Sequence, residues 1–361
     1  MKRLFARMAA ALLAAILIFP VKTSAISAEH AIVTDATTGR ILYEKESNHR
    51  GLIASTTKIM TALIVCEQSN ILDRVRIPKE AVGIEGSSMY LKEGEILTIQ
   101  ELLYGLMLHS GNDAAIALAI YCGGTVDDFV ALMNDKAHRL GLENTHFENP
   151  HGLDSPGHYS TAHDMAILSA YAMKDPIFYQ TVSTKTCKLG QRFLRNHNKL
   201  LWRFDGADGI KTGFTKAAGR ILVSSATRKG RRLICVTMND PNDWQDHATL
   251  LNNGFSQYTI FQIVSADTCV GTIDIAGGSV GEVSLFSKDS FNYPLAEDES
   301  VTIILQPQAF VYAPVVKGSD AGVAYICVDG EPVGKISLYY GETIEQYKND
   351  STPRWKKFFQ R

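Results

Sequence analysis

Apolar and polar positions follow two different patterns along the chain. Up to about residue 262, alternating runs such as "HAIVTDATTGRILYEKE" predict strands, and runs with apolar residues three or four positions apart, such as "TIQELLYGLMLH", predict helices. Beyond it, only short alternating runs remain, separated by Gly, Asp and Pro, which is typical of a small β-sandwich. We therefore predict an α/β (α+β) domain with an antiparallel sheet and a helical block at 26–262, followed by an all-β sandwich domain at 263–348.

One helix boundary in the first domain is marked by its sequence. Thr98 and Glu101 have the spacing of a capping box, in which side chains and backbone satisfy each other at a helix start. The helical pattern stops near His109, "SGND" interrupts it, and "AAIALAIYCGG" resumes it. We therefore expect Ser110 to lie in a tight break between two helices.

Residues 1–25 have the pattern of a secretory signal peptide. Three cations precede an apolar run at 8–19, and small residues follow up to Ala25. An uncleaved anchor is the alternative, but the run is shorter than the roughly 20 residues that span a bilayer. We predict cleavage after Ala25 and hence export.

The last residues, 349–361, are predicted to form a short amphipathic tail that ends in "STPRWKKFFQR". In a helix, Trp355, Phe358 and Phe359 would share one face, with cations around it. This arrangement is typical of a helix in the membrane interface, so we predict peripheral attachment to the outer face of the cytoplasmic membrane. A frayed terminus is the alternative.

Composition and charge narrow the class of protein. With 45% apolar and 20% charged residues, the 361-residue chain has ample material for a core. Its formal charge of −2 becomes −6 when the four cations of the predicted signal peptide are removed. A mildly acidic exported protein does not suit nucleic acid binding, so we expect no nucleic acid partner.

Six cysteines occur, and none forms a C-x-x-C pair, which argues against a zinc knuckle. Export permits disulfides. However, Cys66, Cys122 and Cys235 lie in apolar runs, where a thiol packs as a small apolar side chain. We expect mostly reduced, buried thiols, with Cys269 and Cys327 as the pair if any disulfide forms.

Histidine and aspartate residues cluster between positions 151 and 164, which raises the alternative of a zinc peptidase. The segment lacks an H-E-x-x-H motif, and turns and a helix start account for several of its members. We expect no metal and no cofactor. The residues concerned are His151, Asp154, His158, His163 and Asp164.

Chemistry first appears in "ASTTKIMTAL", where a helix is predicted to open at Ser55. Ser55 could be an ordinary N-cap and Lys58 a solvated helix former. However, positions i and i+3 of a helix are neighbours, so the amine can take the proton that makes the hydroxyl a nucleophile. This requires a lysine pKa near 7 instead of about 10.4; burial and a positive charge, such as that of Lys211, would lower it. The backbone N–H of Ser55 could also face an oxyanion.

Two further motifs could complete an acyl-transfer site. In Ser110-Gly111-Asn112, the serine would pass a proton to a leaving amine, and the asparagine would hold the substrate amide or the lysine of the first motif. In Lys211-Thr212-Gly213, on a predicted strand, the lysine and the threonine would bind a terminal carboxylate. The edge of that strand would bind an extended peptide, and the N–H of Phe214 would be the second oxyanion donor.

The three motifs, in this order in an exported chain, resemble those of the low-molecular-mass penicillin-binding proteins that act as serine-type D-Ala-D-Ala carboxypeptidases, peptidase family S11. The resemblance covers nearly all the mature chain, including "IASTTKIMTALI", "LMLHSGNDAAIALA" and "DGIKTGFTKAAGRILVSSATR". It implies a penicillin-binding/β-lactamase-like transpeptidase fold for the first domain, and the second domain also fits that family.

The resemblance implies removal of the terminal D-alanine from peptidoglycan stem peptides ending in D-Ala-D-Ala, and inhibition by penicillin and other β-lactam antibiotics. It implies Ser55 as the acyl-ester nucleophile, Lys58 as the proton acceptor, Ser110 as a relay and Lys211 in substrate binding. Members of the family often carry a C-terminal membrane anchor. The segment "NHNKLL" has His197 where some members have arginine, so no role is assigned to that side chain.

Two related functions stay open. A β-lactamase-like hydrolase would need a glutamate-containing deacylation loop, which we do not find, and it needs no second domain; Gly111 also replaces the aspartate of its second motif. A penicillin-binding wall or sensor protein would acylate and stall, which the intact lysines and serines disfavour. The sequence also leaves open whether a carboxypeptidase or an endopeptidase reaction is preferred.

Overall fold

The computed structural model describes residues 26–306 and 310–347. The predicted signal peptide and C-terminal tail lie outside the described residues. Within them, no single helix has the length and hydropathy of a membrane span. The helices Asn112–Gly123 and Val126–Arg139 reach that hydropathy only as a pair, and they meet at 84°.

The first domain combines nine strands with the α-helices of the described residues. The helices are α1 Lys58–Gln68, α2 Ile99–Leu108, α3 Asn112–Gly123, α4 Val126–Arg139, α5 Ala162–Ala172, α6 Pro176–Ser183, α7 Leu200–Arg203 and α8 Asp243–Gln257. The strands are β1 His30–Asp35, β2 Ile41–Lys45, β3 Arg74–Arg76, β4 Ile96–Thr98, β5 Thr186–Leu189, β6 Arg192–Arg195, β7 Ala207–Thr215, β8 Gly219–Arg228 and β9 Arg231–Met238.

A five-stranded sheet in the order β2-β1-β9-β8-β7 separates two layers of helix, and all of its pairs are antiparallel. Because strand side chains alternate between faces, Ile32 joins the core of the helical block, whereas Ala31 and Val33 join a smaller core with Leu250 and Leu251 of α8. The predicted fold class, an antiparallel sheet with a helical block, is confirmed.

Helix α1 runs through the centre of the helical block. Its residues from Lys58 to Cys66 are all buried, which explains a run that is apolar on every side apart from Lys58 and Thr61. The predicted start of this helix was wrong in detail. Residues Ala54–Thr57 form a 3-10 turn, the α-helix begins only at Lys58, and Ser55 makes no side-chain cap.

The boundary at Thr98 agrees with its prediction. The Thr98 side chain accepts a hydrogen bond from the Glu101 N–H at 3.2 Å, and the Glu101 carboxylate accepts one from the Thr98 N–H at 2.8 Å. Helix α2 ends at Leu108, and Ser110 follows with a φ of 64° before α3 begins. The expected break between two helices is therefore present.

The second part is all-β, as predicted. Its strands are β10 Thr259–Val264, β11 Cys269–Ala276, β12 Glu282–Ser287, β13 Phe291–Leu295, β14 Val301–Leu305, β15 Val311–Tyr312, β16 Asp320–Val328 and β17 Glu331–Tyr340. A six-stranded sheet in the order β14-β16-β17-β12-β11-β15 packs with a β10-β13 ribbon around a core that includes Val264, Leu285 and Ile326. Strand β10 begins before the predicted boundary near residue 262, and its pairing with β13 ties it to the second part.

Arg40, next to β2, links the two parts. Its guanidinium bonds to the Glu299 carboxylate and the Pro294 carbonyl, and lies over the rings of Tyr258 and Tyr293. Burial of the carboxylate opposes ionisation, but the hydrogen bonds from Arg40 and the Ala296 N–H, together with the charge of Arg40, outweigh it, and the pKa of Glu299 is lowered.

All six cysteines carry free thiols. The conditional pair does not form: Cys269 lies on β11 and Cys327 on β16, and β12 and β17 lie between those strands. Adjacent strands are about 4.8 Å apart, so these two residues are much farther apart than the roughly 6 Å between the α-carbons of a disulfide.

Candidate active site

Ser55 is positioned by a strained 3-10 turn that directly precedes α1. The preceding Ala54 has a φ of 44°, and the Thr57 hydroxyl donates to the Ala54 carbonyl at 2.8 Å. The same hydroxyl lies 2.7 Å from Nε2 of His158, whose Nδ1 accepts the N–H of Glu148 at 3.1 Å. These contacts require a neutral His158 with its proton on Nε2, and burial lowers its pKa to about 4.

Lys58 lies directly beneath the nucleophile. Its Nζ donates to Ser55 Oγ at 3.0 Å, to Asn112 Oδ1 at 2.7 Å and to the His151 carbonyl at 2.6 Å. The side chain is fully buried, and no carboxylate of the described residues forms a salt bridge with it. The amine thus contacts three neutral oxygens and no anion that would stabilise its protonated form.

Burial is the main cause that lowers the pKa of Lys58 well below its ordinary value. The positive charge of Lys211 lowers it further, as the sequence argument proposed, whereas the carboxylate of Asp113 opposes the shift. Compared with a lysine in water, the environment therefore favours the unprotonated amine that a general base requires.

Ser110 and Lys211 form a second pair of hydroxyl and amine. The Lys211 Nζ donates to Ser110 Oγ at 3.0 Å and to the Thr212 carbonyl at 2.8 Å. Lys211 is also fully buried, and burial lowers its pKa to about 7. The second and third motifs of the sequence therefore meet at one point.

Asn112 and Asp113 connect the second motif to the loop before β4. Asn112 Nδ2 donates to the Glu85 carbonyl at 2.6 Å, while its Oδ1 accepts from Lys58. The Asp113 carboxylate accepts the N–H groups of Met89 at 3.0 Å and Leu91 at 3.1 Å. The loop is thereby held against the start of α3.

Strand β7 passes close to the nucleophile because one position lacks a side chain. A Cβ on Gly213 would lie 3.3 Å from the Ser55 nitrogen and 3.1 Å from the Ile53 carbonyl oxygen. The third motif is therefore beside the first, and Phe214, which follows it, is 64% exposed.

These elements surround an open cleft of about 710 Å³. Ser55 and Ser110 contribute hydroxyls to its lining, and Thr212, Gly213 and Phe214 contribute the strand. The cleft thus joins two serine hydroxyls and a strand, which is an arrangement suited to acyl transfer from a peptide.

His197 also lines this cleft, although the sequence assigned it no role. Its N–H donates to the Leu108 carbonyl at 3.2 Å, and its ring lies 5.4 Å from that of His109. Burial, with the nearby charge of Lys211, lowers the pKa of His197 to about 4, so the ring is neutral at pH 7.

Sequence reasoning did not find the His151 carbonyl, the pairing of Thr57 with His158, or the loop-holding role of Asp113. Backbone carbonyls carry no sequence signal, and a contact between residues 57 and 158 spans 101 positions. Asp113 was within reach, because it follows the second motif directly. Two of the clustered histidines, His151 and His158, make hydrogen bonds of this kind. The described residues contain no group of three or more potential metal ligands.

Comparison with protein families finds two matches that together span most of the chain. Residues 18–242 match the Peptidase S11 model, described as D-alanyl-D-alanine carboxypeptidase. Residues 258–346 match the C-terminal domain of penicillin-binding protein 5.

Curated relatives and solved structures agree. The D-alanyl-D-alanine carboxypeptidase DacF of Bacillus subtilis is 32% identical over 340 residues, covering 88% of this chain and 86% of the relative. DacC of Escherichia coli is 32% identical over 347 residues, covering 90% and 86%. Penicillin-binding protein 5 of Haemophilus influenzae superimposes with a TM-score of 0.78 at 30% identity, covering 91% of this chain and all of that structure.

Proposed function

The chain belongs to the Peptidase S11 family of D-alanyl-D-alanine carboxypeptidases, and we propose that it removes the terminal D-alanine from peptidoglycan stem peptides through an acyl-enzyme on Ser55. One observation carries the assignment of the nucleophile. Its hydroxyl lies 3.0 Å from a buried lysine amine that has no carboxylate partner among the described residues.

In the first step, the neutral Lys58 amine takes the proton of Ser55 Oγ as the oxygen attacks the carbonyl carbon of the penultimate D-alanine. The carbonyl oxygen becomes an oxyanion, and the N–H groups of Ser55 and Phe214 stabilise it. The C–N bond then breaks, and the leaving amine receives a proton through Ser110. Water attacks the resulting ester, and the same groups return the protons.

The free carboxylate of the substrate is bound at the third motif. Lys211 contributes charge and Thr212 a hydroxyl. Both directly precede Gly213, where β7 passes Ser55. Since only a terminal peptide bond places a carboxylate one residue beyond the attacked carbonyl, this contact selects the last residue of the stem peptide.

Penicillin and related β-lactams would react by the same route, because they present a strained amide and a carboxylate to the same two groups. The ester on Ser55 then blocks the cleft. The assignment is tested by mass spectrometry after incubation with penicillin, which should place the adduct on the peptide that contains Ser55.

A matched pair of variants makes that test specific. Ser55→Ala should abolish the adduct, whereas Ser87→Ala, at another serine of the cleft lining, should retain it. An adduct that persists in Ser55→Ala rules out the assignment. Release of D-alanine from a peptide ending in D-Ala-D-Ala separates an enzyme from a protein that acylates and stalls.

We also propose an extracytoplasmic location, with peripheral attachment to the outer face of the cytoplasmic membrane. Export is supported by the sequence of residues 1–25, and attachment by the aromatic and basic residues at 353–361. The mature protein should sediment with anionic vesicles at low salt. Unchanged sedimentation after deletion of 353–361 would show that the tail is not the anchor.

A further inference from the structure

One wall of the cleft carries side chains that the proposed mechanism does not use. Along residues 193–200, buried and exposed side chains alternate. The exposed members line the cleft, and the exposed Arg203 of α7 extends the row. We define Arg195, Lys199 and Arg203 as the cationic wall.

The buried members hold the backbone of this wall in place. Asn196 Nδ2 donates to the carbonyls of Val182 at 3.1 Å and Thr184 at 3.0 Å. Asn198 Nδ2 donates to the Gly209 carbonyl at 2.6 Å, two residues before Lys211. The wall therefore has a fixed position on the framework of the site.

The wall lies beside the second and third motifs. The N–H of His197, between Arg195 and Lys199, donates to the Leu108 carbonyl, two residues before Ser110. The contact of Asn198 ties the same segment to the start of the third motif. These are the motifs that, in the proposed function, receive the leaving amine and its carboxylate.

None of the cations of the wall forms a salt bridge within the described residues. Asp243, the carboxylate in the cleft lining, is paired with Arg220, although it also feels the charge of Lys199. Tryptophan rings orient two of the wall cations instead. Arg195 lies 5.1 Å from the ring centroid of Trp202, and Lys199 lies 5.7 Å from that of Trp244. An acidic protein, with a formal charge of −2, thus concentrates unpaired positive charge at its cleft.

D-Alanine as leaving group brings only one carboxylate, for which Lys211 and Thr212 suffice. Resting on the proposed function, we propose that the cationic wall binds a second carboxylate on the leaving group. The enzyme would then cleave terminal D-Ala–X bonds in which X is a dicarboxylic amino acid, and it would prefer them to neutral analogues of the same shape. The chemistry is unchanged: Ser55 displaces the amine of X, which takes a proton, and water cleaves the ester.

The test uses peptides that share one acyl part and end in D-Ala-D-Ala, D-Ala-D-Glu or D-Ala-D-Gln. The last two differ only in the side-chain carboxylate. For the parent protein, kcat/KM should be about fivefold higher for the D-Glu peptide than for the D-Gln peptide, a ratio at the upper range for a partly exposed ion pair, and salt should reduce it.

Arg195→Gln/Lys199→Gln should reduce the D-Glu to D-Gln ratio to about one. The control Arg74→Gln/Lys79→Gln removes the same charges from exposed positions outside the cleft lining and should keep the parent ratio. Equal kcat/KM for the two peptides in the parent, or a ratio that falls equally in both double variants, overturns the inference. Penicillin labelling of Ser55 and hydrolysis of the D-Ala-D-Ala peptide are measured in the same samples. If labelling and hydrolysis are both absent, the proposed function is refuted. If both occur but the D-Glu and D-Gln peptides are cleaved equally well, only the role of the cationic wall is refuted.

Discussion

Gly152 approaches the Ala54 carbonyl so closely that a Cβ at this glycine would lie 1.9 Å from the carbonyl oxygen. The contact holds the 3-10 turn that presents Ser55, and it joins that turn to the segment whose His151 carbonyl accepts from Lys58. Ser55 and Lys58, the proposed nucleophile and base, are therefore positioned by the same stretch of backbone.

Gly152→Ala should therefore destabilise the protein by about 2–4 kcal/mol, since it adds a clash to a φ of +87°. It should also slow penicillin acylation, because the turn must move. Gly141→Ala is the matched control: its φ is +70° with nothing within 4 Å, so only the conformational cost of about 1 kcal/mol applies. Urea unfolding and acylation rates measure both effects. Equal losses in the two variants would mean that the contact is unimportant.

The parts of this site that the sequence predicted are local or carried by side chains with unusual chemistry. The capping box at Thr98 and the break at Ser110 depend on a few neighbouring residues. Lys58 and Lys211 were identified from the spacing and order of their motifs, Ser55-x-x-Lys58 and Lys211-Thr212-Gly213. We expected the three motifs to lie close together because acyl transfer needs a base, a proton relay and a carboxylate-binding group in one site.

The remaining parts depend on contacts that only the folded chain makes. The approach of Gly152 to Ala54 spans 98 positions and involves backbone atoms, for which neither residue type gives a signal. The replacement of the expected helix start at Ser55 by a 3-10 turn has the same cause. The alternation of buried and exposed side chains along residues 193–200 was not readable from the sequence, because Asn196 and Asn198 are buried whereas Phe193 is exposed.

The exposure of the thiols gives a further prediction. Cys269 is exposed, whereas Cys66, Cys235 and Cys327 are buried, and burial raises the pKa of Cys66 and of Cys235. We expect one thiol of the native mature protein to react rapidly with Ellman's reagent, and Cys269→Ser to remove that phase. All six thiols should react in denaturant without reductant. Fewer than six would reveal a disulfide.

Asn112→Asp should change the pH dependence of acylation. A carboxylate at this position would lie where Oδ1 now accepts from Lys58 at 2.7 Å, and an opposite charge favours the protonated amine. The pKa of Lys58 should rise, so the acidic limb of the acylation rate should move to higher pH, by roughly one to two units. Stopped-flow acylation across pH 5–10 measures it. A rate reduced by the same factor at every pH would point to misfolding of the site instead.

Lys211→Met should separate stability from function. Burial lowers the pKa of Lys211 to about 7, whereas an unfolded lysine has a pKa of about 10.4, so the unfolded chain binds more protons between these values. The lysine therefore destabilises the fold fully below pH 7, and this cost disappears as pH rises towards 10. Methionine removes the cost but loses the hydrogen bonds to Ser110 and Thr212. We expect the variant to be more stable than the parent by about 1–3 kcal/mol at pH 7.

The difference in unfolding free energy between Lys211→Met and the parent reports mainly on Lys211, together with Lys58 and His197, whose pKa values its charge lowers. Between pH 7.5 and 9.5, linkage requires the advantage of the variant to shrink by about 1.4 kcal/mol per pH unit. Urea unfolding at three pH values in this window measures the slope, and D-alanine release should fall throughout, because the substrate carboxylate no longer meets the Lys211 amine. A difference independent of pH would show that Lys211 keeps its proton in the folded protein. In that case, its charge would act on Lys58 at every pH of the window, and the base would depend on its neighbour more than on its own burial.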